Sequence, residues 1–360
     1  DPDDPVILWE WTDTHGDNNL GYTWSVPAIG RVKVGTQDKW VAFVGGGWWD
    51  DADQPGNLHI GNRLYIIDIE KGELLNQGST YAEYVIGVDK AGESNWIARN
   101  RVASGIREVD IDKNGYVERI YFGDTHGVMW KMDLTSTDMD DWVPCVLLDP
   151  ATYDFSTLSS PPSVDPNTVA PRPIFYPPAV GRGDSGKYFV FFGTGNERTP
   201  NQTDTQDFFY EVEDNGTPSG SVCTGRVNWV KVLPDAGEKV LARPSIFNYV
   251  IYFTTYVPPP PESECGAGSG RLYGLTMSRG VDSTGGGEAG IMFDPNTGAA
   301  LDTPIESRAL GAGVPTAPIV TNGTIYVTTS NTIGEIGSGG IITQTINPLG
   351  GQIRGWREVF

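Results

Sequence analysis

Short apolar runs separated by polar turn residues make up most of this sequence. The runs are rich in Val, Ile, Tyr, Phe and Trp, and clusters of Gly, Pro, Asn and Asp interrupt them repeatedly. Apolar positions spaced as on one face of a helix are almost absent. β-Branched and aromatic side chains suit a pleated strand, whereas Gly and Pro suit tight turns. The pattern therefore predicts an all-β protein.

A weak repeat runs through the predicted strands. A Pro enters an apolar strand at Pro27, Pro178, Pro244 and Pro318, and an aromatic or β-branched strand follows each time. The period of roughly 60–70 residues is typical of propeller blades with long insertions, although two packed β-sandwiches are the alternative. We therefore expect one modified β-propeller domain over residues 1–360 in about five blades. The predicted blades are 6–78, 82–136, 142–214, 222–280 and 289–360.

Residues 110–118 carry oxygen-bearing side chains at alternating positions, in the order Asp-Ile-Asp-Lys-Asn-Gly-Tyr-Val-Glu. Asp110, Asp112, Asn114 and Glu118 have the spacing of ligands in an EF-hand loop, which holds calcium through oxygen atoms. Gly115 permits the sharp reversal that such a loop needs. The segment thus predicts a calcium site, and an ordinary polar turn is the alternative.

The surroundings of this loop differ from those of an EF-hand. Tyr121 stands at the twelfth position and cannot supply the bidentate carboxylate of an EF-hand. Residues 106–109 and 119–123 are rich in strand formers rather than helix formers. We therefore predict an EF-hand-like calcium loop set between β-strands, with Tyr116 as a ligand through its backbone carbonyl.

Charge and composition narrow the classes of partner. The formal net charge of −21 opposes binding to nucleic acid or to an anionic membrane surface. No apolar run is long enough for a transmembrane helix. The sequence begins at Asp1 without Met or a signal peptide, so we expect a processed chain or a part of a longer one.

The sequence contains three cysteines, Cys145, Cys223 and Cys265, and they show no zinc-type spacing. A disulfide between Cys223 and Cys265 is the expectation for an exported protein, with Cys145 left over.

A possible adhesion motif stands at a predicted hairpin tip. Arg182, Gly183 and Asp184 lie between two predicted strands, where an Arg and an Asp can be displayed to a receptor. The same residues are also what an ordinary hairpin turn uses, and this second interpretation is favoured.

Several stretches resemble the C-terminal propeller domain of the PilY1 family. They are spread over the whole chain, and the most specific one runs from Val109 through the acidic loop to Asp133. The others are 20–27, 40–47, 62–72, 265–273 and 356–360.

The resemblance implies a type IV pilus tip adhesin and biogenesis factor, extracellular at the pilus tip of a bacterium. It implies a calcium ion that stabilises one blade and regulates pilus extension, retraction and surface attachment. By similarity, the ligands map to Asp110, Asp112, Asn114, Tyr116 and Glu118, although Glu118 stands where a shorter acid is common. The implied partners are minor pilins of the tip complex, a host-cell or abiotic surface, and an upstream segment or partner chain that completes the propeller.

Enzymatic interpretations are weaker. A quinoprotein dehydrogenase, which is also a calcium-bearing propeller, is the alternative function, but such enzymes typically carry two adjacent cysteines and this sequence has none. The sequence also lacks a GxSxG elbow and an HExxH motif. His126 lies in a predicted tight turn, where a structural role is favoured. We therefore expect a protein that is not an enzyme.

Overall fold

A computed structural model describes most of the chain as antiparallel β-structure. The described residues are 7–12, 19–49, 60–87, 100–184, 186–216, 223–260, 266–278, 286–293, 300–321, 324–330 and 342–345. They fall into two compact units. The first comprises 1–147 with 217–223, and the second comprises 148–216 with 224–360.

The first sheet of the first unit has five strands, in which β1-β2-β3-β4 follow one another and β7 also pairs with β3. β5 and β6 form a separate two-stranded ribbon. These strands are β1 (Ala28–Val34), β2 (Gln37–Gly45), β3 (Arg63–Asp68), β4 (Glu73–Leu74), β5 (Asn76–Gln77), β6 (Thr80–Tyr81) and β7 (Glu83–Val85).

The second sheet has four strands in the order β11-β10-β9-β8. They are β8 (Arg107–Val109), β9 (Arg119–Gly123), β10 (Met129–Asp133) and β11 (Cys145–Leu148). The strands predicted on both sides of the acidic loop are thus confirmed as β8 and β9. β11 lies beyond the predicted second blade, 82–136, yet it pairs with β10.

The second unit contains a four-stranded sheet β12-β13-β14-β15 and a five-stranded sheet β16-β18-β19-β22, to which β17 adds through β18. A β20-β21 ribbon and a three-stranded β23-β24-β25 sheet follow. The strands are β12 (Ala179–Arg182), β13 (Tyr188–Gly193), β14 (Phe208–Asp214), β15 (Gly225–Val232), β16 (Lys239–Val240), β17 (Ser245–Phe247), β18 (Val250–Val257), β19 (Ser269–Thr276), β20 (Ile291–Phe293), β21 (Ala300–Ile305), β22 (Ser307–Ala312), β23 (Ile319–Thr321), β24 (Thr324–Val327) and β25 (Ile342–Thr345).

Each unit buries apolar side chains between its sheets. In the first unit, alternate residues of β1 are buried with residues of the second sheet, among them Phe122 and Trp130. In the second unit, Phe253 stacks between Phe209 and Tyr273, with ring centroids 3.7 and 4.8 Å away. Aromatic rings contribute large buried areas, and all three of these rings belong to one buried apolar cluster of the second unit. The number and bounds of the blades stay a prediction.

Helical structure among the described residues is limited to short 3₁₀ turns. Asp138, Asp154 and Asp165 cap them by accepting a hydrogen bond from the backbone two residues on. Two of the turns lie within the Pro- and Ser-rich insertion that precedes β12. None of the helical segments in the described part of the chain has the length and apolar character that crossing a membrane requires.

A buried carboxylate organises the turn between β9 and β10. Asp124 is fully buried, and its Oδ1 accepts hydrogen bonds from the backbone N–H groups of His126 and Val128 at 2.8 and 3.1 Å. Its Oδ2 accepts from Trp130 Nε1 at 2.8 Å and from Asn100 Nδ2 at 2.7 Å. Burial raises the pKa of Asp124 to about 6, against these hydrogen bonds, which lower it. Asp124 therefore stabilises the turn that was predicted around His126.

The disulfide differs from the expected one. Cys145, on β11, is bonded to Cys223 across 78 residues, with Cα atoms 5.4 Å apart. The expected bridge from Cys223 to Cys265 is therefore wrong, and Cys265 lies outside the described residues. Pairing follows the distance between cysteines in the folded chain, which their spacing in sequence does not give.

The disulfide closes a long loop, so its reduction will destabilise the protein. In the chain-entropy account, a closure of this length contributes about 4 kcal/mol. We expect dithiothreitol to lower the melting temperature of the wild type and of a Cys265→Ser variant, but not that of Cys145→Ser. A non-reduced digest that links Cys223 to Cys265 would contradict the assignment.

Asp124 predicts a pH dependence of stability. Its pKa is about 6 in the folded protein and near 3.8 in the unfolded chain, so the folded state holds the proton more tightly. Protonated Asp124 therefore contributes up to about 3 kcal/mol to the free energy of unfolding. This contribution is fully present below the unfolded pKa and is lost as the pH rises through 6. Denaturant unfolding from pH 4 to 7 measures this effect against Asp124→Asn. The stability gap between the two proteins should shrink with rising pH, and a constant gap would reject the assignment.

Candidate metal centre

The acidic loop, residues 110–118, joins β8 to β9 as a hairpin connection. Val109 and Arg119 pair across its base. The Glu118 N–H donates to the Val109 carbonyl at 3.0 Å and so closes the loop just inside that pair. Two residues take left-handed backbone conformations, Lys113 at φ +63° and Gly115 at φ +87°. A Gly accepts this conformation without cost, which is the reason that the sequence needs one at the turn.

Backbone N–H groups hold the loop side chains inward. The Asp110 carboxylate accepts from Asn114 N at 3.1 Å and from Gly115 N at 2.8 Å. Asp112 Oδ1 accepts from Asn114 N at 3.0 Å, and Asn114 Oδ1 accepts from Tyr116 N at 2.8 Å. The side chains at alternating positions of the loop are thus held in place by backbone N–H groups of the same turn.

Glu118 completes the acidic group from the returning strand. Its Oε2 accepts from Ile111 N at 2.6 Å, which brings the carboxylate back across the loop. One carboxylate oxygen each of Asp110, Asp112 and Glu118 lie within 4.8 Å of one another. Burial raises the pKa of Glu118, and the charges of Asp112 and Asp110 raise it further, whereas the bond from Ile111 lowers it. A positive ion among the three would relieve that repulsion.

The donor set fits a hard cation. Carboxylate and amide oxygens are the ligands of calcium and magnesium, and this loop offers three carboxylates and the Asn114 carbonyl. Each oxygen that accepts one N–H bond keeps a second lone pair for a metal. The three carboxylates therefore form a possible metal-binding triad, and the assignment of Asn114 and of the Tyr116 carbonyl as ligands stays a prediction.

The second half of the loop rests on the first sheet, a contact that the sequence did not predict. The Val117 N–H donates to the Arg31 carbonyl on β1 at 2.8 Å, and the Val117 side chain is buried in the core of the unit. The Arg31 guanidinium carbon lies 4.1 Å from the centroid of the Tyr116 ring. Arg31 is far from the loop in sequence, so no local pattern marks it.

The possible adhesion tripeptide lies at the predicted hairpin tip, between β12 and β13. Arg182 and Asp184 are both exposed, and Gly183 is buried. The Asp184 carboxylate accepts a hydrogen bond from the Tyr249 hydroxyl, and the Arg182 guanidinium lies 5.9 Å from the Tyr188 ring centroid. These contacts restrain the two side chains that a receptor would engage. A role in adhesion stays a prediction.

Buried acids outside the loop are bonded within the fold. Glu211 accepts from Trp229 Nε1 at 3.0 Å and from Asn228 Nδ2 at 2.8 Å. Glu238 accepts from the Thr255 hydroxyl at 2.6 Å and from Arg271 Nη1 at 3.0 Å. Such satisfied groups indicate structural roles, because a buried charge needs partners to remain in the interior.

The comparisons with known proteins agree with this fold. The family model described as the PilY1 beta-propeller domain matches residues 8–228. The crystal structure of the Pseudomonas aeruginosa PilY1 C-terminal domain superposes with a TM-score of 0.63, and the alignment covers 96% of this chain and 76% of that one. At 20% identity, this likeness shows the fold alone.

Two curated relatives extend the match along the chain. Type IV pilus biogenesis factor PilY1 of Pseudomonas aeruginosa (strain UCBPP-PA14) is 30% identical over 54% of this chain and 16% of that protein. The PilY1 homolog of Xylella fastidiosa (strain Temecula1 / ATCC 700964) is 25% identical over 88% of this chain and 23% of that protein. The chain thus spans less than a quarter of the length of either relative. Its family match and its all-β structure together show that this chain belongs to the PilY1 family and has the β-propeller fold of that family's domain.

Proposed function

We propose that this chain is a calcium-binding domain of a type IV pilus biogenesis factor and tip adhesin, displayed outside the cell. Family membership supports this role, since the relatives are named type IV pilus biogenesis factors. Those names also favour a role that is not enzymatic. The partners proposed are minor pilins of the tip complex, a host or abiotic surface, and a further segment or chain that completes the propeller.

The observation that carries the calcium proposal is the convergence of Asp110, Asp112 and Glu118 in one hairpin loop. Unit charges at this separation repel by about 1 kcal/mol per pair even in a water-like dielectric. One Ca²⁺ reduces the local charge from −3 to −1 and gains oxygen ligands at the same time. Asn114 and the Tyr116 carbonyl complete the proposed shell.

The proposed role of the ion is to order the connection between two strands. β8 and β9 are joined by the acidic loop, so an ion that fixes the loop also fixes their pairing. Extracellular calcium modules bind with dissociation constants of about 0.1–1 mM. An affinity in this range makes occupancy respond to the medium, and it is the basis on which calcium would regulate pilus extension, retraction and attachment.

Asp112→Ala tests the site directly. Asp112 is exposed, so we expect its loss to change the metal-free melting temperature little. At calcium concentrations of about 100 times the dissociation constant, the wild type should gain about 2.7 kcal/mol, or several degrees, and the variant should gain far less. Thermal melts with and without EDTA measure this difference.

Asp140→Ala is the matched control for that experiment. It removes an exposed acid from the turn at Met139–Asp141, outside the acidic loop, and should keep the full response to calcium. Equal calcium shifts in wild type and Asp112→Ala would refute the site. A loss of the shift in Asp140→Ala as well would mean that overall charge, rather than the loop, attracts the ion.

The pilus role predicts a phenotype in the producing cell. Asp112→Ala in the full-length protein should reduce surface pili and twitching at calcium concentrations that saturate the wild type, while Asp140→Ala should not. Sheared surface pili, quantified against total pilin, provide the measurement. Unchanged piliation in a strain that lacks this gene altogether would overturn the biogenesis role, independently of calcium binding.

A further inference from the structure

The acidic loop does not stand alone on its own hairpin, because its second half is packed against the first sheet. The contact is made by Arg31, in the middle of β1 and paired with Trp40 of β2. The backbone of Arg31 is thus held by regular pairing with β2, at the edge of the first sheet.

Backbone and core contacts fix the end of the loop to β1. The Val117 N–H donates to the Arg31 carbonyl at 2.8 Å. The Val117 side chain lies 6% exposed in the core with Ala28 and Val32. A Cβ on Gly30 would lie 2.4 Å from Val117 Cγ2, so the absence of a side chain at Gly30 is what lets the loop approach the strand.

The Arg31 side chain covers the turn of the loop. Its guanidinium carbon lies 4.1 Å from the Tyr116 ring centroid, within the range of a cation–π contact. A Cβ on Gly115 would lie 3.2 Å from Arg31 Nη2, so the guanidinium also passes close to the turn residue. One residue of the first sheet therefore contacts Tyr116 and Val117 and passes close to Gly115.

We propose that Arg31 is a positioning residue for the cation bound by the acidic loop, because it holds residues 115–117 against β1 and thereby places Glu118 opposite Asp110 and Asp112. The inference rests on the proposed calcium function. It adds that the affinity for the ion is set partly by a residue outside the loop, on a neighbouring sheet.

Simple electrostatics predicts the opposite effect of Arg31 on calcium affinity. A guanidinium near three carboxylates competes with a cation, so its removal would strengthen calcium binding if charge dominated. The guanidinium lies over the Tyr116 ring, however, with its carbon 4.1 Å from the ring centroid. Loss of the contact leaves the turn with more conformations to lose upon binding, which weakens affinity. The sign of the change therefore distinguishes the two roles.

The coupling is reciprocal. If the contact to β1 favours the ion-bound loop, the bound ion must favour the contact by the same factor. Calcium should then slow amide hydrogen exchange at Val117, and in β1 around Arg31, as well as within the loop itself.

Calcium titration calorimetry of the full chain at physiological ionic strength tests the proposal. We expect Arg31→Ala to raise the calcium dissociation constant about two- to fivefold, the range of an exposed cation–π contact. Tyr116→Leu, which removes the ring and keeps Arg31, should weaken binding to a similar extent. Arg31→Lys should fall between, because an ammonium keeps the charge without the planar stacking surface.

Lys33→Ala is the charge-matched control. The Lys33 ammonium lies 5.8 Å from the same ring centroid, so this variant removes one positive charge with less loss of contact. We expect its dissociation constant to stay within about twofold of the wild type. Metal-free melting of each variant identifies a merely structural effect, which would lower the melting temperature without changing calcium affinity.

The outcomes separate this proposal from the one on which it rests. If the wild type binds no calcium, both are wrong. If the wild type binds and Arg31→Ala binds equally or more tightly, the positioning role alone is overturned. Should Arg31→Ala fail to fold, Tyr116→Leu together with the exchange rate of the Val117 amide decides the question.

Discussion

The burial of central strands on both faces is the constraint on which the rest of this structure depends. Every residue of β3, β10 and β14 is buried, including charged ones such as Asp68 and Glu211. A strand covered on both sides has no solvated face on which to place a polar side chain, so each one must find a partner inside. The bonds from Trp130 to Asp124 and from Trp229 to Glu211 are the result.

The acidic loop lies at the exposed end of a hairpin, where like charges are brought close together. Three carboxylates that repel one another are brought together by the backbone N–H groups of Ile111, Asn114 and Gly115. The donors are supplied by the turn itself, so the acids are oriented by the chain alone. Preorganisation of this kind lowers the cost of binding. It also explains how a loop this short can present several oxygens without a helix on either side.

The features that were predicted correctly from the sequence are those that depend on residues close together in the chain. The strands on both sides of the loop, the turn at Gly115 and the connection between β12 and β13 are at or near the expected positions, because strand and turn preferences act over a few residues. The pairing of Cys145 with Cys223 was not predicted. The pairing of β11 with β10 was not predicted either. Both depend on which distant segments meet, and residue preferences along the chain do not give that.

The sequence by itself determined that this protein is all-β, that it carries a run of alternating oxygen donors, and that it resembles one family from end to end. Those properties follow from side-chain preferences and from spacing along a single stretch of chain. Only the tertiary structure decided that Val117 enters the core beside Gly30 and that Arg31 lies on Tyr116. Residue 31 lies on β1 of the first sheet, and residue 116 lies in the loop that joins β8 to β9 of the second sheet. Their contact exists because apolar side chains of β1, of the loop and of the second sheet are buried together.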